Sequence, residues 1–189
     1  MAQVKLEAMP NLLNALKLKL VPQSVQHSWQ QSGLVFLWLA IVTIVFDQIT
    51  KIWVSSELAL YQTVEFLPFW QWTHARNPGA AFSFLSDAGG WQRWLFTVLA
   101  LGVSFAFSIW LRRLTKQEWK LNAALALIIG GAIGNLIDRL AYGYVIDFID
   151  VFYANYHFPA FNIADSAITV GAALLLLDSF IRKDDTKID

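Results

Sequence analysis

Four long apolar runs, separated by short polar segments, dominate the hydropathy pattern of the chain. They cover residues 33–54, 94–111, 121–137 and 162–181. Each approaches the ~20 residues that a helix needs to cross a bilayer at about 1.5 Å per residue. The second and third runs lack the polar stripe that a helix on the surface of a soluble bundle would have. The pattern therefore predicts an all-α membrane protein with four transmembrane helices.

Composition supports this fold class. Hydrophobic residues make up 57% of the chain and charged residues 15%, against roughly 45–50% and about 25% in soluble domains. This much apolar surface excludes a disordered chain. The absence of Cys excludes a disulfide scaffold, a thiolate zinc site and a Cys nucleophile. Fourteen basic residues balance fourteen acidic ones, so we expect no nucleic-acid partner.

Two connections differ in their sequence pattern: the one between the first and second spans and the one between the third and fourth. Residues 54–73, between the first and second spans, are rich in Tyr, Thr, Val, Phe and Trp, which favours strands, while Pro68 restricts them to an edge or a break. We expect a small extracytoplasmic β-rich segment there. For residues 142–157, between the third and fourth spans, a short helix and a loop are both compatible with the sequence.

Basic residues are distributed unequally between the two sides of the predicted spans. Ten of the fourteen flank the spans on one side: Lys5, Lys17, Lys19, Arg112, Arg113, Lys116, Lys120, Arg182, Lys183 and Lys187. By the positive-inside rule both termini are cytoplasmic. The predicted organisation is a cytoplasmic N-terminal extension over 1–32, a four-span membrane domain over 33–182 and a cytoplasmic tail over 183–189.

Ionisable residues gather at the outer ends of the spans, where they are functional candidates because a charge in a membrane is costly. They are Asp47, Lys51, Asp138, Arg139, Asp147, Asp150 and Asp165. Asp47 and Lys51 are spaced i,i+4, which favours a structural ion pair. Asp147 and Asp165 have no basic residue within four positions. Two such carboxylates that meet share one proton, so that a neutral acid faces a charged base.

A pair of acids in this state suits peptide hydrolysis, in which one carboxylate activates water and the other protonates the leaving amine. The three His do not form an HExxH pattern, and no GxSxG elbow or phosphate-binding loop occurs. An ion-coupled carrier and a lipid-binding scaffold remain alternatives on the residues alone. Carriers usually hold their ionisable groups near the middle of the bilayer and contain repeats, neither of which is visible here.

Five motifs resemble, in order and spacing, those of the lipoprotein signal peptidases (signal peptidase II). They are DQITK at 47–51, NPGAAFS at 77–83, GGAIGNLIDR at 130–139, VIDF at 145–148 and FPAFNIADS at 158–166. The resemblance extends from about residue 34 to 182. It implies a membrane-embedded aspartyl endopeptidase that removes the signal peptide of prolipoproteins on the N-terminal side of the diacylglyceryl-modified cysteine.

The resemblance also assigns residues and partners. It implies Asp147 and Asp165 as the catalytic dyad and leaves out Asp138 and Asp150. Substrate-binding or supporting roles fall on Asp47, Lys51, Asn77, Gly79, Asn135, Arg139 and Asn162. It implies no metal or cofactor, contact with membrane lipids, and inhibition by globomycin-type compounds. We expect a monomer in the bacterial cytoplasmic (inner) membrane with its active site at the outer (periplasmic) face.

Two motif segments also have a local structural interpretation. Residues 77–80 (Asn-Pro-Gly-Ala) fit a type II turn, with Pro78 at its second position and Gly79 at its third. Gly130 and Gly134 form a GxxxG step, which allows two helices to approach closely.

Overall fold

The computed structural model describes residues 28–79 and 89–185. A 3₁₀ turn, Gly33–Phe36, leads into the first of four helices, which are α1 (Leu37–Glu57), α2 (Trp91–Arg113), α3 (Trp119–Ala141) and α4 (Ile163–Asp185). All four are long and apolar enough to cross a membrane. The prediction of four spanning helices is confirmed, with ends that differ from the predicted ones by a few residues.

A four-stranded antiparallel sheet lies at one end of the helices, here called the sheet end. Its strands, in spatial order, are β1 (Thr63–Leu67), β2 (Trp70–Asn77), β3 (Val145–Tyr153) and β4 (Tyr156–His157). Strands therefore come from both connections at this end, and the expectation of a short helix or a loop over 142–157 was wrong. The strand-like interpretation from residue 54 was also wrong at its start, because α1 continues to Glu57.

The pairing of β2 with β3 brings distant parts of the sequence together. Ala75 lies opposite Asp147, and Asn77 lies opposite Val145. A bridge between Ile149 and Phe161 joins β3 to the segment just before α4. As a result, the third residue of β3 lies beside the first turn of α4.

Helix α3 forms the centre of the bundle. In its most apolar stretch 78% of the residues are buried, whereas the corresponding share in each of the other three spans is 22% or less. Glycines allow its neighbours to come close. A Cβ added to Gly130 would lie 2.9 Å from the carbonyl oxygen of Ala40 on α1, and one added to Gly131 only 2.3 Å from that of Ala164 on α4. The Gly130 contact agrees with the packing role predicted for the GxxxG step, and at its second glycine, Gly134, an added Cβ would lie 2.8 Å from Asp47 Oδ2 and 3.3 Å from the Cβ of Ala164. Gly131 lies outside that step.

The opposite end of the bundle is joined by backbone hydrogen bonds. The Gly33 N–H donates to the carbonyl of Leu114 over 2.9 Å, and the Lys116 N–H donates to that of Gln31. Of the predicted N-terminal extension, only 28–32 are among the described residues. Most of the predicted C-terminal tail and Ala80, the last residue of the predicted turn, also lie outside them.

Candidate active site

Asp147 and Asp165 converge at the sheet end through a network of asparagine amides. Asp147 is only 2% exposed, and both of its carboxylate oxygens accept hydrogen bonds. The Nδ2 of Asn162 donates to Oδ1 over 2.7 Å, and the Nδ2 of Asn77 donates to Oδ2 over 2.9 Å. Asn162 precedes α4, Asn77 ends β2 and Asp147 lies on β3. Three elements thus hold one carboxylate.

Asp165 is held from the opposite side, by α3. The Nδ2 of Asn135 donates to its Oδ1 over 2.8 Å. Asn162 caps the helix that carries it, because its Oδ1 accepts the backbone N–H of Asp165 over 2.9 Å. Asn162 also donates to the Oδ1 of Asn135 over 3.2 Å. A continuous set of amide hydrogen bonds therefore connects the two carboxylates.

The environment of Asp147 changes its acidity. Burial, and secondly the charge of the nearby Asp165 carboxylate, raise the pKa of Asp147 from its ordinary value to about 7, against the opposing effect of the hydrogen bonds from Asn77 and Asn162. A carboxyl group with this pKa is half protonated near neutral pH. Two neighbouring carboxyl groups of this kind can share one proton near neutral pH.

Asp47 and Lys51 form the predicted ion pair, with 2.8 Å between Nζ and Oδ2. A second carboxylate joins it, because Asp138 lies 3.1 Å from the same Nζ. All three side chains are at most 1% exposed. Lys51 also donates to the Oδ1 of Asn135 over 2.9 Å, which connects this charged cluster to the amide network.

Arg139 and Gly79 complete the polar surroundings. One terminal nitrogen of the Arg139 guanidinium donates to the carbonyl of Gly79 over 2.9 Å, and its Cζ lies 5.1 Å from the ring centre of Phe96 on α2. The N–H of Gly79 donates to the Oδ1 of Asn77. This hydrogen bond makes an Asx-type turn within the described part of the 77–80 segment.

A cavity of about 350 Å³ opens beside Asp165 between α2, α3 and α4. Its polar lining includes Asn135, Arg139 and Asp165, and the rest is largely apolar, with Phe96 and Ile168 among its walls. A volume of this size lies within the range of small-ligand sites. Asn135 and Arg139 are four residues apart and thus share a face of α3, and that face borders the carboxylates.

Asp150 lies outside this network. Its Oδ2 accepts a hydrogen bond from the Nε2 of Gln71 over 2.6 Å, and the Nδ1 of His157 lies 2.9 Å from the same oxygen. This side chain is therefore engaged within the sheet. Among residues 28–79 and 89–185, no group of three or more His, Asp or Glu side chains is arranged to hold a metal ion.

Sequence reasoning missed two contributors to the site. Gln48 donates to Asp138 over 2.9 Å and to the carbonyl of Gly134 over 3.2 Å, and Phe96 lies against Arg139. Gln48 lies within the DQITK motif, next to Asp47 and three positions before Lys51, so its position was a usable signal. Phe96 is one of many aromatic residues in an apolar run, and nothing local distinguishes it.

The fold and the site define a class of protein: a four-span membrane protein with two carboxylates, Asp147 buried and Asp165 half-buried, in an amide network beside a cavity. Comparisons with known proteins identify the family. The family model described as signal peptidase (SPase) II, peptidase family A8, matches residues 39–181. The chain therefore belongs to the lipoprotein signal peptidase (signal peptidase II) family, whose members are membrane-bound hydrolases of the protease class.

Similar proteins agree with this assignment. The lipoprotein signal peptidase of Shewanella halifaxensis is 56% identical over 163 residues, which cover 86% of this chain and 96% of the relative. That of Shewanella piezotolerans is 55% identical over 160 residues, covering 85% and 94%. A solved structure described as a bacterial membrane enzyme superposes with a TM-score of 0.71 at 29% identity, covering 80% of this chain and 90% of that one.

Proposed function

We propose that this chain is an aspartic endopeptidase that removes the signal peptide of prolipoproteins on the N-terminal side of their diacylglyceryl-modified cysteine. Asp147 and Asp165 are the proposed catalytic dyad. The observation that carries the proposal is their convergence, from a strand and a helix 18 positions apart in the chain, onto one set of amide hydrogen bonds. The raised pKa of Asp147 supports a dyad that shares one proton.

The chemistry follows from that shared proton. The ionised carboxylate takes a proton from a water molecule, whose oxygen attacks the scissile carbonyl carbon while the protonated carboxyl donates a hydrogen bond to the carbonyl oxygen. The C–N bond of the resulting tetrahedral adduct then breaks, and the leaving amine takes a proton from the dyad. The apparent pKa values belong to the pair, because the two carboxylates titrate together.

The remaining polar residues have proposed supporting roles. Asn77, Asn135 and Asn162 hold the carboxylates in position through the hydrogen bonds described above. Arg139 lines the cavity and donates to the carbonyl of Gly79, and both residues are proposed to contact the substrate backbone.

The proposed substrate is bound at the membrane by its lipid. Two acyl chains anchor a peptide stably where one chain binds only marginally, and this anchoring energy, remote from the scissile bond, can orient that bond against the dyad. We propose a multi-pass protein of the bacterial inner membrane, in contact with its lipids, with both termini cytoplasmic and the sheet end periplasmic. Residues 33–182 would be the catalytic membrane domain, 1–32 and 183–189 cytoplasmic segments, and a monomer the active unit.

The test uses purified protein in detergent and two forms of one prolipoprotein peptide, with its cysteine diacylglyceryl-modified or unmodified. Wild-type protein should cleave the lipidated form, should leave the other intact, and should be inhibited by globomycin.

Asp147→Asn and Asp165→Asn should each lower turnover by at least about a thousandfold, because a catalytic group is removed. Asp150→Asn, the matched control on the same strand, should remain close to wild type. Near-normal turnover by a folded Asp147 or Asp165 variant, or equal cleavage of both peptides, would refute the proposal.

A further inference from the structure

The charged cluster formed by Asp47, Lys51 and Asp138 lies in the protein interior and out of reach of a ligand. An ammonium group has three N–H donors, and those of Lys51 face Asp47 Oδ2, Asp138 Oδ2 and Asn135 Oδ1 at 2.8, 3.1 and 2.9 Å. None of the three cluster residues lines the cavity beside Asp165. The cluster therefore has no direct way of contacting a substrate bound there.

The second contacts of the two carboxylates connect the cluster to the dyad. Asp47 Oδ1 accepts the backbone N–H of Ala164 over 2.9 Å, and Ala164 directly precedes Asp165. Asp138 Oδ2 accepts the backbone N–H of Ile146 over 3.0 Å, and Ile146 directly precedes Asp147. Each buried carboxylate thus holds the amide immediately before one proposed catalytic residue.

Lys51 joins these two attachments. It lies between the carboxylates and also holds the Asn135 side chain so that its Nδ2 faces Asp165. A buried cluster of one positive and two negative charges is weak support for stability, since well-packed apolar residues often stabilise a protein at least as much. The contacts point to a role in geometry.

We infer that Asp138, Lys51 and Asp47 form a clamp that fixes the backbones of the two catalytic aspartates relative to each other, with Asp138 a positioning residue for Asp147. The inference rests on the proposed function. It explains why the cluster spans α1 and α3: those helices flank the strand and the helix that carry the dyad. A misplacement of about 1 Å between reacting groups can lower a rate a hundredfold.

The experiment compares Asp138→Ala with Asp138→Asn in full-length protein, using the lipidated peptide at a temperature well below the unfolding of every variant. Ala removes the acceptor of the Ile146 N–H, whereas Asn retains an oxygen for it. We expect Asp138→Ala to lower kcat by roughly 10–100-fold, because Asp147 would be misplaced relative to Asp165, with KM nearly unchanged. Asp138→Asn should recover part of the lost kcat. Asp150→Ala, which removes a buried aspartate of the same sheet end that is not connected to the dyad, should leave kcat close to wild type.

An unchanged kcat in folded Asp138→Ala would overturn the inference, and so would a raised KM with unchanged kcat, which would indicate substrate binding. If Asp138→Ala fails to fold, the double variant Asp47→Asn with Lys51→Met replaces it, because it removes the Lys51 link between the two attachments without changing the net charge of the cluster. A wild-type kcat in that variant would refute the clamp equally. The proposed function fails separately, if wild-type protein does not cleave the lipidated peptide or Asp147→Asn cleaves it normally.

Discussion

At the scale of single residues, the site depends on amide side chains whose oxygen and nitrogen each face a fixed hydrogen-bond partner. The oxygen of Asn135 accepts from Lys51 and Asn162, so its nitrogen is left to donate to Asp165. Asn162 uses its oxygen as a helix cap, so its nitrogen is left to donate to Asp147. Because both amides are constrained at one end, the direction of their donors toward the carboxylates is determined by the fold.

The acids and amides themselves could be selected from the sequence, since ionisable groups at the ends of apolar spans are unusual and the motif resemblance singled out the rest. The contacts among these side chains could not be predicted from the sequence. That Asn77 meets Asp147 depends on the register of β2 and β3, which shifts between Trp72 and Ala75. The third member of the charged cluster, Asp138, was likewise visible as a residue next to Arg139, but its contact with Lys51 requires the crossing of α1 and α3.

The raised pKa of Asp147 predicts a pH-dependent stability. Its folded-state pKa of about 7 lies above the ordinary value of 3.8, so the folded protein binds this proton more tightly than the unfolded chain. Below about pH 4 the Asp147 carboxyl is protonated in both the folded and the unfolded state, so it does not lower the free energy of unfolding. The penalty then grows as the pH rises through 7, to at most about 4 kcal/mol. Asp147→Asn removes it, so the variant should gain stability relative to wild type between pH 5 and pH 8.

Thermal unfolding in detergent at pH 5, 6.5 and 8 measures this difference. The variant also loses one hydrogen bond, because one of the two carboxylate oxygens that accept from Asn77 and Asn162 becomes an NH2 group, which cannot accept. This loss adds a constant offset, and the change with pH is therefore the informative quantity. Gly102→Ala, which alters no titratable group, should differ from wild type by the same amount at each pH. If the difference in stability between wild type and Asp147→Asn also stays constant with pH, it contradicts the assignment of a raised pKa to Asp147.

At the scale of secondary-structure elements, β3 is the strand that the sequence did not predict, and its burial pattern gives the reason. Its first four residues, Val145 to Phe148, are all buried, so the alternation that identifies a half-buried strand is absent. Asp147 and Asp150 interrupt the run with residues that are rare in strands. The strand nevertheless contains many β-branched and aromatic residues, and it pairs with β2 along most of its length. The proposed catalytic residue Asp147 on this strand thus weakens the local signal for the element that holds it.

Close approach of α3 and α4 is the second element-level requirement. At Gly131 a Cβ would lie 2.3 Å from the carbonyl oxygen of Ala164, and the adjacent N–H groups of α4 carry the contacts that hold Asp165. Any side chain at this position must push the start of α4 away from α3. Glycine is therefore required here for contact between helices.

Gly131→Ala should consequently destabilise the protein by roughly 1–3 kcal/mol, as overpacking does, and should also reduce turnover because Asp165 moves with α4. Gly102 on α2 is the matched control, since a Cβ there would meet no atom within 4 Å. Gly102→Ala should be neutral or stabilising by up to about 1 kcal/mol, because glycine is a poor helix former. Thermal unfolding in the same detergent measures both. Equal effects of the two substitutions would show that the contact with Ala164 is unimportant.

At the scale of the whole molecule, the bilayer made the spans predictable. A spanning helix must satisfy its backbone internally and must be long enough to cross the hydrocarbon core, so hydropathy alone located α1 to α4 within a few residues. No comparable constraint acts on the connections, which is why the sheet was recognised in one of them and missed in the other. The same helices bring the ionisable motifs, separated by more than one hundred positions from Asp47 to Asp165, to one end of the bundle.

The orientation of that end in the membrane is the remaining property of the whole molecule, and the absence of Cys from the sequence makes it directly measurable. The basic loop between α2 and α3 predicts a cytoplasmic position for Lys116, whereas Tyr153, which is 85% exposed in the hairpin of β3 and β4, belongs to the sheet end. In intact spheroplasts, a membrane-impermeant maleimide should label Tyr153→Cys rapidly and Lys116→Cys only after the membrane is opened. Both sites are exposed, so lysed membranes supply the control for reactivity. The reverse pattern would put the carboxylates on the cytoplasmic side, where a substrate anchored in the outer leaflet cannot meet them.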